Sequence, residues 1–334
     1  MQLIECVPNI SEGCNQSIID ELSEVIANVE GVKLLNTDIG VDANRTVFTF
    51  VGFPESVIEA AFQLFKRANE LISMENHHGK HPRIGVVDVC PLIPIQGITL
   101  EETTEFAEKL AKQVGDELQI PIYLYEENAK FSYRSRLEQI RAGEYEGFTE
   151  KINLDEWKPD FGPQTFNKKT GVSVIGARNF LLAYNINLET KDVNIAKNIA
   201  AQIRESGGLY FDNQGNKKQS DGLLKGVKSI GWYIQEFDMV QVSTNITDYN
   251  KVSMFEVFTE VSKFAKMYGT SVRGSELIGL VPFDALFRSG TEIKEQDSSM
   301  KGESIDVAIA YLKLDDIKEC IPQKQILEYT AGIM

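Results

Sequence analysis

Apolar residues recur along the chain with two periods, and the alternation between them lays out its elements. LIECVPNI, residues 3–10, is a short strand candidate. In SIIDELSEVIAN, residues Ile18, Ile19, Leu22, Val25 and Ile26 return every three or four positions and predict a helix ending before Gly31. VKLLNTDIG and RTVFTFVG are two β-rich runs separated by the turn-prone VDAN, so neighbouring strands are expected. A second helix is predicted over PESVIEAAFQLFKRANELI, with Pro54 near its start and Val57, Ile58, Ala61, Phe62, Phe65 and Ala68 on its inner side. RIGVVDVCPLIP is apolar without alternation, the pattern of a strand buried on both faces.

The order β-α-β-β-α-β is that of a ferredoxin-like unit, and the second half repeats it. NFLLAYNINL reads as a strand, and KDVNIAKNIAAQIRESGG as a helix with Ile195, Ile199 and Ile203 inward and Gly207 at its C-terminal end. VKSIGWYI and MVQVSTNITDY are two strands, VSMFEVFTEVSKFAKMYG a helix, and SVRGSELIGLVP the last strand. The first half carries in addition the helix LEETTEFAEKLAKQVGDEL, the strand IYLY and a short helix near YRSRLEQIRAG, with residues 160–171 as a loop. The expected fold is α/β of the α+β kind: two ferredoxin-like βαββαβ subdomains related by duplication, residues 1–177 and 178–334, the boundary falling near Gly176 to Arg178.

A length of 334 residues suits two cores of this size, and four scattered cysteines without a CxxC spacing give neither a disulfide framework nor a thiolate metal site. The first residues carry Glu5 within their apolar stretch and no basic leader, and IGVVDVCPLIPI is broken by Asp88 and two prolines, well short of the roughly 20 residues that span a bilayer. A cytoplasmic protein without membrane insertion is expected. The net charge of −15 opposes phosphate backbones, so nucleic acid is not an expected partner, and an anionic small molecule would need a local cationic patch.

All three histidines, His77, His78 and His81, lie within five residues. His77 and His81 have the spacing of a helical metal pair, but Gly79 and Pro82 oppose a helix, and no metal is expected; His77 and His78 read as a solvated polar loop. His81 precedes Pro82 and Arg83 at the mouth of the apolar strand, where an extended backbone would fix its ring, and imidazole exchanges protons at neutral pH with little tuning. Asp38 and Asp88 sit in apolar strand contexts and require partners, for which Arg45, Arg83 and Arg178 are available, unless these arginines clamp a ligand carboxylate. Lys168 with Lys169, and Lys217 with Lys218, place positive charge in Gly-containing loops, while Asn9, Ser11 and Glu12 serve a helix N-terminus or a ligand. The chain has no Walker loop, no GxGxxG after its first strand and no GxSxG elbow. Residue chemistry alone therefore reaches an α/β protein with a candidate histidine base and an anionic ligand.

ECVPNISEG, DANRTVFTFVG, GKHPRIGVVDVCPLIP, RAGEYEG, PDFGP, GARNFLLAYNINL, GWYIQE, QVSTNITDY and GSELIGLVP, in that order and continuing to ILEY near the C-terminus, resemble the formiminotransferase family. The resemblance implies transfer of a formimino group between N-formimino-L-glutamate and tetrahydrofolate, the latter a co-substrate, in histidine breakdown and one-carbon metabolism. It implies homodimers, folate held in a tunnel between two subdomains, and a catalytic histidine in HPR, which is His81. The folate-contact segment falls on Gly162, Pro163, Gln164, Thr165, Phe166, Asn167, Lys168, Lys169, Thr170 and Gly171. Arg178 and the lysines at 217 and 218 are expected to complete a positive funnel for the folate carboxylates, and Asp38 to orient His81 or to stabilise developing positive charge. Formyl transfer between folate and glutamate is the alternative reaction, and folate binding without turnover the alternative class. Animal members of the family continue into a cyclodeaminase domain, whereas this chain ends at Met334, so its product is expected to pass to another protein.

Overall fold

A computed structural model describes residues 2–41, 43–79 and 81–333. Asp42 of the first turn and Lys80 of the HPR segment lie outside the described residues. The chain divides into two compact units, Met1–Asn179 and Phe180–Met334.

The first unit begins with β1 (Leu3–Cys6), β2 (Asn9–Ile10), α1 (Gln16–Ala27), β3 (Val32–Gly40), β4 (Arg45–Gly52), α2 (Pro54–Leu71) and β5 (Val87–Gln96). The strands run in the order β3, β4, β1 with β2, β5, all antiparallel, as in a ferredoxin-like sheet. After β5 follow α3 (Leu100–Leu118), β6 (Ile122–Leu124), α4 (Leu137–Arg141), α5 (Glu144–Lys151) and β7 (Ser173–Ala177). β7 inserts between β5 and β6, parallel to both, which widens the sheet to seven strands.

Helix starts follow from their caps: the Asn15 side chain accepts from Ile18 N–H, and Thr99 and Glu102 exchange reciprocal bonds at the start of α3. Phe62 and Phe65 of α2 are buried with Ile19 and Leu22 of α1 and Phe48 and Phe50 of β4, each large side chain contributing about 1.5–3 kcal/mol. On the opposite face Val89, Tyr123 and Val174 pack against Ile140 and Phe148, with Trp157 alongside. β5 is therefore covered on both sides, as its unalternating pattern predicts. It starts at Val87, however, because Arg83–Val86 leaves the sheet to meet residues 170–172.

The second unit contains β8 (Leu182–Leu188), α6 (Val193–Ile203), β9 (Gly208–Phe211), β10 (Lys217–Ser220), β11 (Val227–Ile234), β12 (Met239–Ile246), α7 (Met254–Met267) and β13 (Val272–Ile278). It ends with α8 (Phe283–Gln296), α9 (Ser304–Tyr311), α10 (Pro322–Gln325) and α11 (Leu327–Ala331). The antiparallel order β11, β12, β8, β13 repeats that of the first unit's core. α6 ends earlier than its Gly207 implies: Arg204 is already extended, and Gly207, at φ +59°, turns the chain three residues later. Lys217 and Lys218 do not sit in a loop. They lie on β10, opposite Phe211 and Tyr210, in a hairpin whose turn Asp212 ties by accepting from Gln214 and Asn216 N–H. β7, α5, the β9–β10 hairpin and the helices after β13 are additions to the elements predicted from periodicity.

Candidate active site

The site is built on the β3–β4 ribbon. Asp38 pairs with Val47 and Gly40 with Arg45, so Asp38 and Arg45 stand diagonally on one face of the ribbon. Asn44, in the left-handed turn at φ +47°, accepts from Gly13 N–H at 2.9 Å and donates to the His78 carbonyl at 2.9 Å, bringing the histidine segment over the turn.

His77 then departs from its expected place in a solvated loop. It is buried, its Nε2 lies 2.9 Å from the Asn44 carbonyl, and its Nδ1 accepts from Arg83 Nε at 3.3 Å. Burial, opposed by the Asn44 contact, lowers its pKa. This histidine is a brace for the loop, whereas His78 is exposed as expected. Arg83 also donates to both carboxylate oxygens of Glu146, at 2.9 and 2.8 Å, and holds that carboxyl at about 2. His78, Gly79, Arg83, Gly143, Glu144 and Glu146 line a cavity of about 470 Å³.

His81 is half-buried. Arg45 Nη1 lies 2.5 Å from its Nε2, and its Nδ1 lies 2.7 Å from the Pro82 carbonyl. A guanidinium can only donate, so Nε2 is the acceptor and Nδ1 carries the proton. Burial first, then the charges of Arg45 and Arg141, push the imidazole down to about 3, against the Pro82 bond. Arg45 itself falls to about 10, through burial and the charge of Arg141, opposed by Asp88 and Asp38. Asp38 thus acts on Arg45, and among the described residues it makes no hydrogen bond to the His81 ring.

Asp88, 1% exposed, finds its partner outside the three arginines proposed for it. Its Oδ1 accepts from Ile84 N–H at 2.9 Å and its Oδ2 pairs with Arg141 of α4. Arg141 lies in the RAGEYEG motif, yet nothing in its sequence context marks it as the partner of an aspartate 53 residues earlier. Arg178 is placed elsewhere, its side chain reaching the Asn179 carbonyl and the Tyr125 phenol.

The segment from Gly162 to Gly171 is joined to the same loop at its C-terminal end. Gly85 and Gly171 form a bridge flanked by Val86 N–H to Thr170 O at 2.9 Å and Val172 N–H to Ile84 O at 3.0 Å. The Tyr145 hydroxyl donates to the Lys168 carbonyl, and Phe166 packs on the Tyr145 ring. Lys169 is committed to the Glu70 carbonyl at 3.1 Å, leaving Lys168 as the unpinned member of the pair; both are exposed. Gln164 donates to the Ile152 carbonyl, while Gly162, Thr165 and Asn167 are exposed and Pro163 half-buried. Asn9, Ser11 and Glu12 each hydrogen-bond within the fold, Asn9 Nδ2 donating to the Val7 carbonyl at 3.2 Å. Glu12 accepts from Cys14 and Asn15 N–H ahead of α1, and Ser11 donates to Gly85 O at 2.8 Å. Among the described residues no cluster of three or more His, Cys, Asp or Glu is arranged to hold a metal, and no helix is long and apolar enough to cross a membrane.

An imidazole hydrogen-bonded to Arg45 and within the field of Arg141, with Asp38 and Asp88 offsetting Arg45, stands at the edge of a ferredoxin-like sheet in an α/β protein. The chain belongs to the formiminotransferase family: the formiminotransferase domain, N-terminal subdomain, matches residues 3–178, and the formiminotransferase domain matches residues 183–332. It is 43% identical over 98% of its length to the formimidoyltransferase-cyclodeaminase of Dictyostelium discoideum and 42% identical over 98% to that of Sus scrofa, spanning 60% of each of those relatives. It is also 40% identical to the glutamate formimidoyltransferase of Streptococcus pyogenes serotype M1, covering 98% of both chains.

Proposed function

We propose that this chain transfers the formimino group between N-formimino-L-glutamate and tetrahydrofolate, with His81 as the proton carrier. The observation that carries the reading is the fixed tautomer of His81: with Nδ1 committed to the Pro82 carbonyl, Nε2 is its one nitrogen for proton exchange, in a chain whose two units both match the transferase family. In the reaction the folate ring nitrogen attacks the amidine carbon, and the carbon–nitrogen π pair moves onto the imino nitrogen. Nε2 takes the proton of the attacking nitrogen and returns it to the nitrogen of glutamate. That nitrogen leaves with its bonding pair, and the π bond re-forms. Protons and electrons balance within the two substrates and the imidazole, so much of the rate comes from holding the substrates in register. Asp38 favours the positive charge that develops at the amidine and on the imidazole.

The segment Gly162–Gly171 is the folate-contact segment in this reading. Its backbone is tied to the HPR loop at Thr170 and Gly171, and its exposed Lys168 offers charge to the folate carboxylates. Residues 1–177 and 178–334 are the two transferase subdomains of a cytoplasmic homodimer. The test is a transfer assay with formiminoglutamate, formylglutamate and tetrahydrofolate on the native protein and on His81→Ala. The native protein should transfer the formimino group, and the variant should lose about 10²–10⁴-fold in kcat while still binding folate. Preference for formylglutamate, or a variant as active as the native protein, refutes the reading.

A further inference from the structure

We propose that Arg45 is a positioning residue that holds the lone pair of His81 in the free protein and yields it when a substrate carboxylate takes the guanidinium. This rests on the transfer reaction proposed above. The first observation is geometric: Arg45 Nη1 lies 2.5 Å from the nitrogen that must exchange the proton, so in this conformation the base is blocked. The second is the charge arrangement around it. The charge of Arg141 on α4 disfavours that of Arg45 on β4, and both bear on His81, while Asp88 on β5 and Asp38 on β3 offset Arg45. Asp88 is already engaged by Arg141 and Ile84 N–H.

The third observation is an orphan donor. Arg141 Nε is buried and has no hydrogen-bond partner among the described residues. A carboxylate entering between the two guanidinium groups would relieve their repulsion, give Arg141 Nε an acceptor and offer Arg45 a bidentate partner in exchange for one neutral imidazole bond. The ligand therefore favours the released state by contacts that the resting state lacks, which is what a substrate-driven switch requires. His81 becomes a competent base only when the molecule it serves is present.

Because the chain has three histidines, ¹⁵N-histidine labelling gives three imidazole signal pairs, assignable with His78→Gln and His81→Gln. In the free protein the His81 pair should stay neutral, Nδ1-protonated, and should not titrate between about pH 5 and 8, where an ordinary imidazole does. Saturating L-glutamate should raise its midpoint toward, but not to, the about 6.5 of an ordinary imidazole, because the burial of the ring remains. Arg45→Gln should show a raised midpoint without ligand, and adding glutamate should then move it less than in the native protein, because only the charge of Arg141 is left to offset. Arg45→Lys, which preserves the charge, should keep a glutamate-dependent shift. A free-protein midpoint near about 6.5, or a midpoint that glutamate leaves unmoved, overturns the proposal. If glutamate moves the midpoint but no formimino transfer occurs, the reaction falls and the switch stands; transfer with an unmoved midpoint gives the reverse.

Discussion

Replacing Asp88 by Asn removes one charge and almost no volume from the junction between β5, α4 and the HPR loop. The substituted amide can still accept from Ile84 N–H through its oxygen, but it turns an NH₂ group or a neutral oxygen toward the Arg141 guanidinium, which is left as a half-buried cation. Breaking one side of a buried pair costs about 3–5 kcal/mol, and the surviving backbone bond retains about 1 kcal/mol, so about 3 kcal/mol is expected. At a urea slope of about 2–3 kcal/mol/M this lowers the midpoint by about 1–1.5 M.

The two tryptophans permit the assay, since Trp157 packs on Tyr123 and Phe148 in the first unit and Trp232 lies on β11 of the second. In a Trp232→Phe background, fluorescence reports the first unit. Arg141→Met should also destabilise, but the double variant Asp88→Asn/Arg141→Met should be no worse than the more damaging single change, because neither charge then remains alone. Single effects that add, or a midpoint change below about 0.3 M for Asp88→Asn, would refute the burial argument.

Gly171→Ala should destabilise the first unit by about 2–4 kcal/mol. Residue 171 has φ +68°, its new Cβ would lie 2.3 Å from the Ile84 carbonyl, and relief of that clash would open the Gly85–Gly171 bridge; equal urea midpoints for variant and native protein would contradict this. Glu146→Gln tests the Arg83 pair. A carboxyl held at about 2 when folded and near about 4.3 when unfolded contributes stability above about pH 4.3 and loses it as pH falls through about 2. The native protein should therefore lose its advantage over the variant between those limits, by a modest amount because Glu146 is largely exposed, and a pH-independent difference in thermal midpoint would exclude the pair as its source.

The parts of the fold that periodicity reveals are those in which one chain segment carries its whole signal. α2 and β5 declare themselves through Phe62, Phe65 and an unbroken apolar run, and the βαββαβ order follows in both units. β7 escapes because SVIGA is five residues of small and apolar side chains without a flanking helix pattern. The β9–β10 hairpin escapes because its polar Lys217, Lys218 and Gln219 alternate with nothing apolar on their own strand. At the site, His81 could be singled out through the constraint of Pro82. His77 could not be told from a solvated residue, because its burial depends on Asn44, 33 positions away, and on Arg83 folding back over it. Arg141 was hidden for the same reason: a guanidinium on a short polar helix looks like surface until β5 is placed beneath it.

Placing β7 between β5 and β6 has a consequence for synthesis on the ribosome. The last strand of the first unit to emerge fills a gap bounded by two strands whose final residues, Gln96 and Leu124, precede Ser173 by 77 and 49 positions. The nascent sheet therefore carries two open edges until Ala177 has cleared the exit tunnel. Translation pausing before that point prolongs the interval in which apolar β5 is uncovered. Fragments cut upstream of Ser173 would keep that exposure permanently, and they are the pieces of this protein to watch for aggregation.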